Sequence, residues 1–320
     1  MIMTKTTAHT NIALIKYWGK KDAVLHLPYT DSLSLTLDGY YTTTTTHFID
    51  AAQDEIWLDH QLADAAFAAR VEKFLNLVRT LNHSQKRICV QTVNHVPTAA
   101  GLASSASGFA ALAGSLDKLF QMNLSKTDLS RLARRGSGSA TRSIFGGFVQ
   151  WHQGTDDASS FAEAIDENPN LPIRLLSVVI NNQEKKITST KGMLQAVETS
   201  PFYAQWPQVV QTDLKSMLQA LRNHDLELIG QIAEDNCLAM HALNWTSRPA
   251  FTYFTAATYQ IINLVHQLRA QGYLAYYTID AGPNVKIITS IADLAQVQAQ
   301  VQANFPQAQV TKLKPGPGIR

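Results

Sequence analysis

Apolar and polar positions alternate over residues 6–15 and 33–49, and each stretch predicts a β-strand. The unbroken threonine run Thr42 to Thr46 belongs to the second, where β-branching reads as strand rather than as low complexity. Glu55–Ile56–Trp57–Leu58 predicts a short strand that turns at Asp59–His60. From Ala63 to Leu81 the period changes, with Phe67, Val71, Phe74, Leu75 and Val78 recurring at helical spacing. Arg87 to Asn94 alternates again. A Gly/Ser/Ala-rich loop, Pro97 to Ser107, then feeds an apolar helix ending near Gln121. A second helix, capped by Ser125, is predicted to run to about Arg135. Gly136–Ser137–Gly138–Ser139 breaks it, a short helix restarts at Ala140, and Phe145 to Trp151 returns to strand.

The second half opens with a strand from Leu175 to Asn181. Helical patterns follow at 190–198, 206–222, 224–243 and 251–271. Strands at 273–279 and 284–289, a helix near 291–303 and a strand near 308–313 close the pattern. Lys314 to Arg320 carry two Pro-Gly pairs and are expected to be loose. Strands lead helices in each half, with few strict βαβ alternations. The pattern therefore predicts a two-lobed α+β fold with a central cleft rather than a doubly wound sheet. The division is expected near residue 180, giving lobes of 1–182 and 183–320.

Composition narrows the function classes. The chain has 320 residues, 45% of them hydrophobic and 16% charged, which predicts a folded globular protein. A formal net charge of +2 gives no field suited to nucleic acid or a membrane surface, so any positive site must be local. The two cysteines, Cys89 and Cys237, form no CxxC pair and are expected to be buried free thiols. No signal peptide and no transmembrane run is read, and the expected location is the cytoplasm. The histidines show no HExxH or other metal spacing, and His9, His26, His95 and His241 read as core or surface residues. No G-x-S-x-G occurs, so a serine hydrolase is unsupported.

Four polar segments carry candidate chemistry. In Pro97–Thr98–Ala99–Ala100–Gly101–Leu102–Ala103–Ser104–Ser105–Ala106–Ser107–Gly108, small residues let the backbone approach a ligand. Free amides at the start of the following helix suit a polyphosphate, and the hydroxyls could reach a magnesium ion. An ordinary Gly/Ser turn with a serine N-cap explains the same residues equally well. The segment is neither a P-loop nor a dinucleotide fingerprint. Lys16 and Lys20 flank Tyr17 at the end of the first strand and suit phosphate, or else they are solvated lysines of an edge strand. Ser137–Gly138–Ser139–Ala140–Thr141–Arg142 could hold an anion through amides, hydroxyls and a guanidinium, or act as a linker. Asp280 sits between a strand and a Gly-Pro turn, a common place for a structural aspartate.

These segments together resemble a known family. P-x-x-x-G-L-x-S-S-A, from Pro97 to Ala106, is similar to the phosphate loop of the GHMP superfamily of small-molecule kinases. N-I-A-L-I-K-Y-W-G-K from Asn11, followed by L-P-Y-T-D-S-L-S from Leu27, looks like the opening of mevalonate diphosphate decarboxylases in particular. G-S-G-S-A-x-R-S-x-F-G-G from Gly136 and T-x-D-A-G-P-N-V from Thr278 are similar to further blocks of the same family, in the same order. The resemblance implies the GHMP-kinase-like fold, with an N-terminal lobe like domain 2 of ribosomal protein S5 and a ferredoxin-like C-terminal lobe. It implies ATP and Mg²⁺ as cofactors and mevalonate 5-diphosphate as substrate, and a homodimer.

By the resemblance, Pro97, Ala100, Gly101, Leu102, Ala103, Ser104, Ser105, Ala106 and Ser107 wrap the ATP phosphates, with Mg²⁺ near Ser105. Asn11 helps hold the carboxylate region, Tyr17, Lys20, Ser137, Gly138 and Ser139 meet the diphosphate, and Arg142 pairs with the carboxylate. Ser189, Met193 and Ala281 line the pocket. Lys16, Arg142, Ser105 and above all Asp280 serve the chemistry, Asp280 by placing the C3 hydroxyl against the ATP γ-phosphate. Three competing readings stay open: a plain GHMP kinase, a decarboxylase of the monophosphate, and a non-catalytic homologue.

Overall fold

The computed structural model describes residues 2–95, 104–180 and 186–320. Strands β1 (Met3–Ile15), β2 (Lys20–Asp22), β3 (Leu27–Pro28), β4 (Ser32–Ile49), β5 (Glu55–Leu58) and β6 (Gln61–Leu62) open the chain. Helix α1 (Ala65–Leu81), strand β7 (Arg87–His95) and helices α2 (Ser104–Phe120) and α3 (Lys126–Gly136) follow. A 3-10 segment (Gly138–Ile144) then leads to β8 (Phe148–Trp151), β9 (Ala162–Asp166) and β10 (Ile173–Val179). The remainder is mainly helical: α4 (Ser189–Thr199), α5 (Trp206–Arg222), α6 (Leu226–Trp245) and α7 (Ala256–Ala270). Strands β11 (Ala275–Ile279) and β12 (Val285–Ser290), helix α8 (Leu294–Asn304) and strand β13 (Gln309–Pro315) complete it.

One long strand organises the sheet. β4 is 18 residues long and antiparallel to β1, β7, β8 and β13 along different parts of its length. Through β13, whose Lys314 and Pro315 pair with Asp38 and Leu37, the N-terminal strands join the set β11-β12-β10-β13. The threonine run of β4 has a structural purpose. Thr42, Thr44 and Thr46 alternate inward and are buried. Their hydroxyls meet Ser107 at 2.7 Å, Thr92 at 3.1 Å and Ser115 at 2.8 Å. Two of these partners lie on α2, so buried hydroxyl pairs seat that helix on the sheet where apolar contact alone would leave its height unspecified.

The expected α+β pattern is met, with informative departures. Asp59 and His60 both take left-handed backbone, at φ 49° and 68°, as a two-residue hairpin turn requires. Asp64 caps α1 and Ser125 caps α3 through their side chains. Ser104 to Ser107 form the first turn of α2 rather than the end of a loop. The strand expected from Phe145 starts at Phe148, and residues 251–255 precede α7 rather than belonging to it. Hairpin β2–β3 and strand β9 had no counterpart in the sequence reading. The strand end expected at Asn181 lies outside the described residues. Cys89 and Cys237 are buried and free. Among the described residues no helix is long and apolar enough to cross a membrane.

The expectation of a loose tail is overturned. Gly316 donates to Thr36 O at 2.8 Å and accepts from Gly147 N at 3.0 Å. Ile319 N reaches Ile144 O at 3.1 Å, and Arg320 exchanges two backbone bonds of 2.9 Å with Thr7. Ile319 also packs against the core between α1, α2 and the sheet. Proline and glycine here permit an extended path along a sheet edge, where backbone groups find partners that a free tail would seek in water.

Helix α6 lies behind β11 and carries a buried polar stripe. The Cys237 thiol donates to Ile279 O at 3.3 Å and accepts from Ile279 N at 3.1 Å. His241 Nε2 donates to the same carbonyl at 3.1 Å. Burial pushes the Cys237 thiol up to about 11 and the His241 ring down to about 3. Both groups are therefore neutral at pH 7, and they fix the peptide just before Asp280.

Two measurements follow from these contacts. Removal of residues 316–320 deletes five backbone hydrogen bonds, which at about 1 kcal/mol each or somewhat less costs roughly 3 kcal/mol. The denaturant midpoint should fall accordingly; an unchanged midpoint would mean the tail is loose after all. For His241, the unfolded ring titrates near 6.5 and the folded ring near 3, so the fold favours the neutral form. Its contribution is complete above pH 6.5 and shrinks as pH falls toward 3, by about 1.4 kcal/mol per unit. Denaturation at pH 7 and pH 5 should show a loss of about 2 kcal/mol from this group. The loss should be absent in His241→Gln, and equal losses in both proteins would refute the assignment.

Candidate functional site

Where β1 ends, the chain turns sharply and delivers Lys16, Tyr17 and Lys20 to a cavity of about 690 Å³. The turn depends on Gly19, whose φ is 110° and whose absent side chain leaves room for the Tyr203 hydroxyl; a Cβ would stand 1.8 Å from that oxygen. Tyr203 uses the space to donate to Trp18 O at 2.8 Å. Gly138 allows a second close approach, since a Cβ there would lie 3.0 Å from both the Tyr17 hydroxyl and the Trp151 ring. The cavity is also lined by Ser105 at the start of α2, by Ser137, Gly138, Ser139 and Arg142, by Ser189 and Met193 of α4, and by Asp280 and Ala281.

Asp280 is the sole acid among the described residues that line the cavity. Its Oδ1 accepts from Lys16 Nζ at 2.6 Å. Lys16 is 1% exposed and Asp280 24%, so the pair is sunk at the floor with its acid end toward the opening. Lys16 Nζ also donates to Ala13 O at 2.8 Å, and its backbone N–H donates to Asn236 Oδ1 at 2.7 Å. Asn236 in turn donates to Asp213 at 2.7 Å. The lysine is thus fixed from β1, α5 and α6 together.

Arg142 is buried beside it. Its guanidinium donates to Ser32 Oγ at 2.6 Å and to Asn11 Oδ1 at 3.3 Å, while Nε is buried without a partner among the described residues. Burial holds its pKa down at about 10, partly offset by Asp280. Asn11 does not line the cavity. It lies behind, with Nδ2 donating to Ser139 O at 3.1 Å and Ser143 Oγ at 2.8 Å, so it holds the serine turn and the arginine in register. The Tyr17 ring meets Trp151 edge-on at 4.8 Å, and its hydroxyl, also buried without a partner among the described residues, is pushed well above the ordinary phenol value by burial. Ser137 Oγ stands 3.3 Å from both Ser105 Oγ and Ser139 Oγ, so three hydroxyls cluster on one wall.

Not every candidate meets the cavity. Pro97, Ala100, Gly101, Leu102 and Ala103 lie outside the described residues, as does the side chain of Ser104. Ala106 faces the apolar core, and Ser107 is buried with its hydroxyl on Thr42. Of the α2 serines described, Ser105 is the one that opens on the site. It also borders a smaller cavity of about 170 Å³, walled by Phe67, Val71, Phe109 and Leu112 with Asn94 and Arg70 at its edge.

Sequence reasoning missed Arg70 and His26. Arg70 lies on α1, where helical spacing made it one more polar position, and it borders both cavities. His26 reaches the larger cavity from hairpin β2–β3, whose strands of three and two residues are too short to produce a periodic signal. Among the described residues no group of three or more His, Cys, Asp or Glu could hold a metal ion by itself. One carboxylate and one hydroxyl, Asp280 and Ser105, suit a magnesium ion only if phosphates supply most of its oxygens.

The comparisons agree with this geometry. Residues 8–162 match the diphosphomevalonate decarboxylase-like N-terminal domain, and residues 175–316 match the mevalonate 5-diphosphate decarboxylase C-terminal domain. The diphosphomevalonate decarboxylase of Homo sapiens is 38% identical over 94% of this chain and 80% of its own length. The mevalonate diphosphate decarboxylase structure from Staphylococcus aureus overlays with a TM-score of 0.96 at 41% identity, covering 99% of this chain and 97% of the other. That from Enterococcus faecalis gives 0.95 at 44%, covering 100% and 98%. A structure of MDDEF in complex with MVAPP, AMPPCP and magnesium gives 0.96 at 45% over the same shares. The architecture is accordingly the GHMP-kinase-like α+β fold, and the chain belongs to the diphosphomevalonate decarboxylase family of ATP-dependent decarboxylases.

Proposed function

We propose that this cavity converts mevalonate 5-diphosphate to isopentenyl diphosphate at the expense of ATP, releasing ADP, phosphate and CO₂. The observation that carries the reading is Asp280, the one carboxylate among the described lining residues, clamped by Lys16 in a cavity whose other described lining groups are mainly cations, hydroxyls and apolar groups. Such a floor suits a substrate whose own charges are negative and whose single hydroxyl must be positioned. A relative has been solved with MVAPP, AMPPCP and magnesium together, which supports placing diphosphate substrate, nucleotide and Mg²⁺ here.

With one Asp280 oxygen on Lys16, the other is the acceptor for the substrate's C3 hydroxyl. It orients that oxygen toward the γ-phosphate and takes its proton as the O–P bond forms. A tertiary alcohol is a crowded nucleophile, so in-line placement matters more than basicity. Arg142 faces the C1 carboxylate, with Asn11 holding the guanidinium from behind. Tyr17, Lys20, Ser137, Gly138 and Ser139 take the 5-diphosphate, and Ser189, Met193 and Ala281 complete the pocket wall. The phosphate loop from Pro97 and the N-terminal turn of α2, with Ser105, grip the nucleotide. The small apolar annex of Phe67, Val71, Phe109 and Leu112 accepts its base. Magnesium borne on the ATP phosphates would offset their charge beside Ser105.

Phosphorylation converts a poor leaving group into a good one. When the 3-phosphate departs, C3 gains positive character. The C1–C2 bond then breaks, CO₂ leaves, and the freed electron pair becomes the C2=C3 bond. The proposal divides the work between lobes 1–182 and 183–320, the first gripping phosphates and the second delivering Asp280. A cytoplasmic homodimer is part of the same proposal.

The decisive experiment incubates the purified protein with Mg-ATP and either mevalonate 5-phosphate or its 5-diphosphate, and measures ADP and CO₂ together. Equimolar ADP and CO₂ from the diphosphate is expected. ADP without CO₂ would instead mean a kinase, and preference for the monophosphate a different substrate. Asp280→Asn should fold and bind nucleotide but lose about 10³-fold or more in turnover. Near-normal turnover would remove Asp280 from its role. Arg142→Met should lower kcat far more than it weakens nucleotide binding, as read by separate nucleotide titration and product assays.

A further inference from the structure

Hairpin β2–β3 is bolted to α3 by two reciprocal hydrogen bonds. Arg134 Nε donates to Leu25 O at 3.0 Å, and His26 Nδ1 meets Arg134 O at 2.8 Å. A carbonyl can only accept, so Nδ1 must carry the proton. The neutral ring therefore has its lone pair on Nε2, for which no protein partner exists among the described residues, and His26 lines the large cavity. A lone pair repels a phosphate oxygen, whereas an N–H⁺ at the same atom would bind it strongly.

The surroundings set which form is present. Lys20 faces His26 from its own hairpin, Lys73 from α1 and Arg135 from α3, while Arg70 of α1 lines the same cavity and bears on Lys20. The nearby acids are occupied. Asp22 accepts from Val24 N and Leu25 N within the hairpin turn, and Asp157 is bound by Arg131, Arg134 and Arg135. Burial, and then the charge of Lys20 and the other cations, lower the ring to about 4. A diphosphate arriving beside Lys20 would reverse that local charge.

We propose that His26 is a proton-coupled contact for the substrate's diphosphate: neutral in the free enzyme, it takes up a proton as the diphosphate enters and donates Nε2–H to it. The inference rests on the reading of this cavity as a mevalonate 5-diphosphate site. It assigns the contact to the substrate rather than to the nucleotide, because Lys20 and the serine turn stand on the same wall. Its consequence is that substrate binding tightens as pH falls from 8 toward 6.

Asparagine separates the two functions of the ring. It tolerates the left-handed backbone of position 26, where φ is 54°, and its Nδ2 can replace Nδ1 on Arg134 O, but it has nothing at the place of Nε2. The test titrates mevalonate 5-diphosphate into the full-length protein and into His26→Asn at pH 6.5, by calorimetry in buffers of differing ionisation enthalpy. The ligand's terminal phosphate titrates in the same range, so the difference between the two proteins is the reading. Wild type should bind a larger fraction of a proton than His26→Asn, by several tenths per site. Its KM for the diphosphate should rise several-fold between pH 6 and 8, with a flatter profile in the variant and a small change in kcat. His26→Gln, which offers no Nδ1 substitute, should lose denaturant stability that His26→Asn retains. Equal proton uptake in wild type and His26→Asn would overturn the inference while leaving the activity standing. Extra uptake on titrating Mg-ATP alone would also overturn it. Failure of the wild type to release CO₂ from mevalonate 5-diphosphate would remove the underlying reading itself.

Discussion

The ion pair between Lys16 and Asp280 joins residues 264 positions apart and sets the polarity of the whole cavity. A lysine 1% exposed cannot stay charged without a partner, because transferring an ammonium out of water is costly. Asp280 is that partner, and the two charges cancel. The remaining cations that line the cavity, Arg142, Lys20 and Arg70, then have no acid of their own among the described lining residues. The pair thus leaves a local excess of positive charge in a chain whose net charge is only +2. In the proposed reading, phosphates and a carboxylate are the ligands that satisfy it, and the same pair leaves the acid end exposed to whatever hydroxyl they carry in.

Rigidity around the pair comes from neutral groups rather than from more charge. Asn236 fixes the Lys16 backbone, while Cys237 and His241 fix the Ile279 peptide from behind. Ser32 and Asn11 hold Arg142. Each support is a dipole or a neutral ring whose pKa burial has moved away from ionisation. A buried charge in these positions would neutralise Asp280 or Arg142, the groups proposed to meet the substrate; a neutral donor or acceptor orients them without doing so. The threonine–serine contacts between β4 and α2 play the same part for the wall proposed to hold the nucleotide, since they set where the first turn of α2, with Ser105, stands.

How much of this could be read beforehand depended on the length of the signal. Long periodic elements, such as β1, β4, α1 and α5, announced themselves because many residues repeat one period. The four ordered blocks around Asn11, Pro97, Gly136 and Thr278 pointed to Lys16, Ser105, Arg142 and Asp280, which line one cavity in the structure. His26 escaped because its hairpin has strands of three and two residues, and Arg70 because a polar residue on an amphipathic helix looks like any other. The tail misled for a different reason. Its Pro-Gly pairs describe what the backbone can do, while the partners at Thr7, Thr36 and Ile144 exist only once the sheet has formed. Ser107, which the motif places beside phosphate, also serves the fold: its hydroxyl meets Thr42 at 2.7 Å from the first turn of α2, a contact that sequence alone does not announce.

The choice of hydroxyls over cations on the cavity wall has an energetic logic. A reaction that makes and releases ADP, phosphate and a diphosphate product gains nothing from gripping every phosphate equally hard in all states. Uniform binding lowers KM without raising kcat and slows product release. Ser137 Oγ stands 3.3 Å from both Ser105 Oγ and Ser139 Oγ, and in the proposed reading these neutral donors rotate among phosphate oxygens as charge migrates from one to the next. Two of the lining cations are held back and fixed: Lys16 on Asp280, Arg142 on Ser32 and Asn11. In the proposed reading these fixed cations stabilise the negative charge that gathers on the departing phosphate, while Asp280 faces the positive character at C3. In the same reading the mobile hydroxyls follow the substrate before and after, and that separation would allow one cavity to bind polyanions and still let them go.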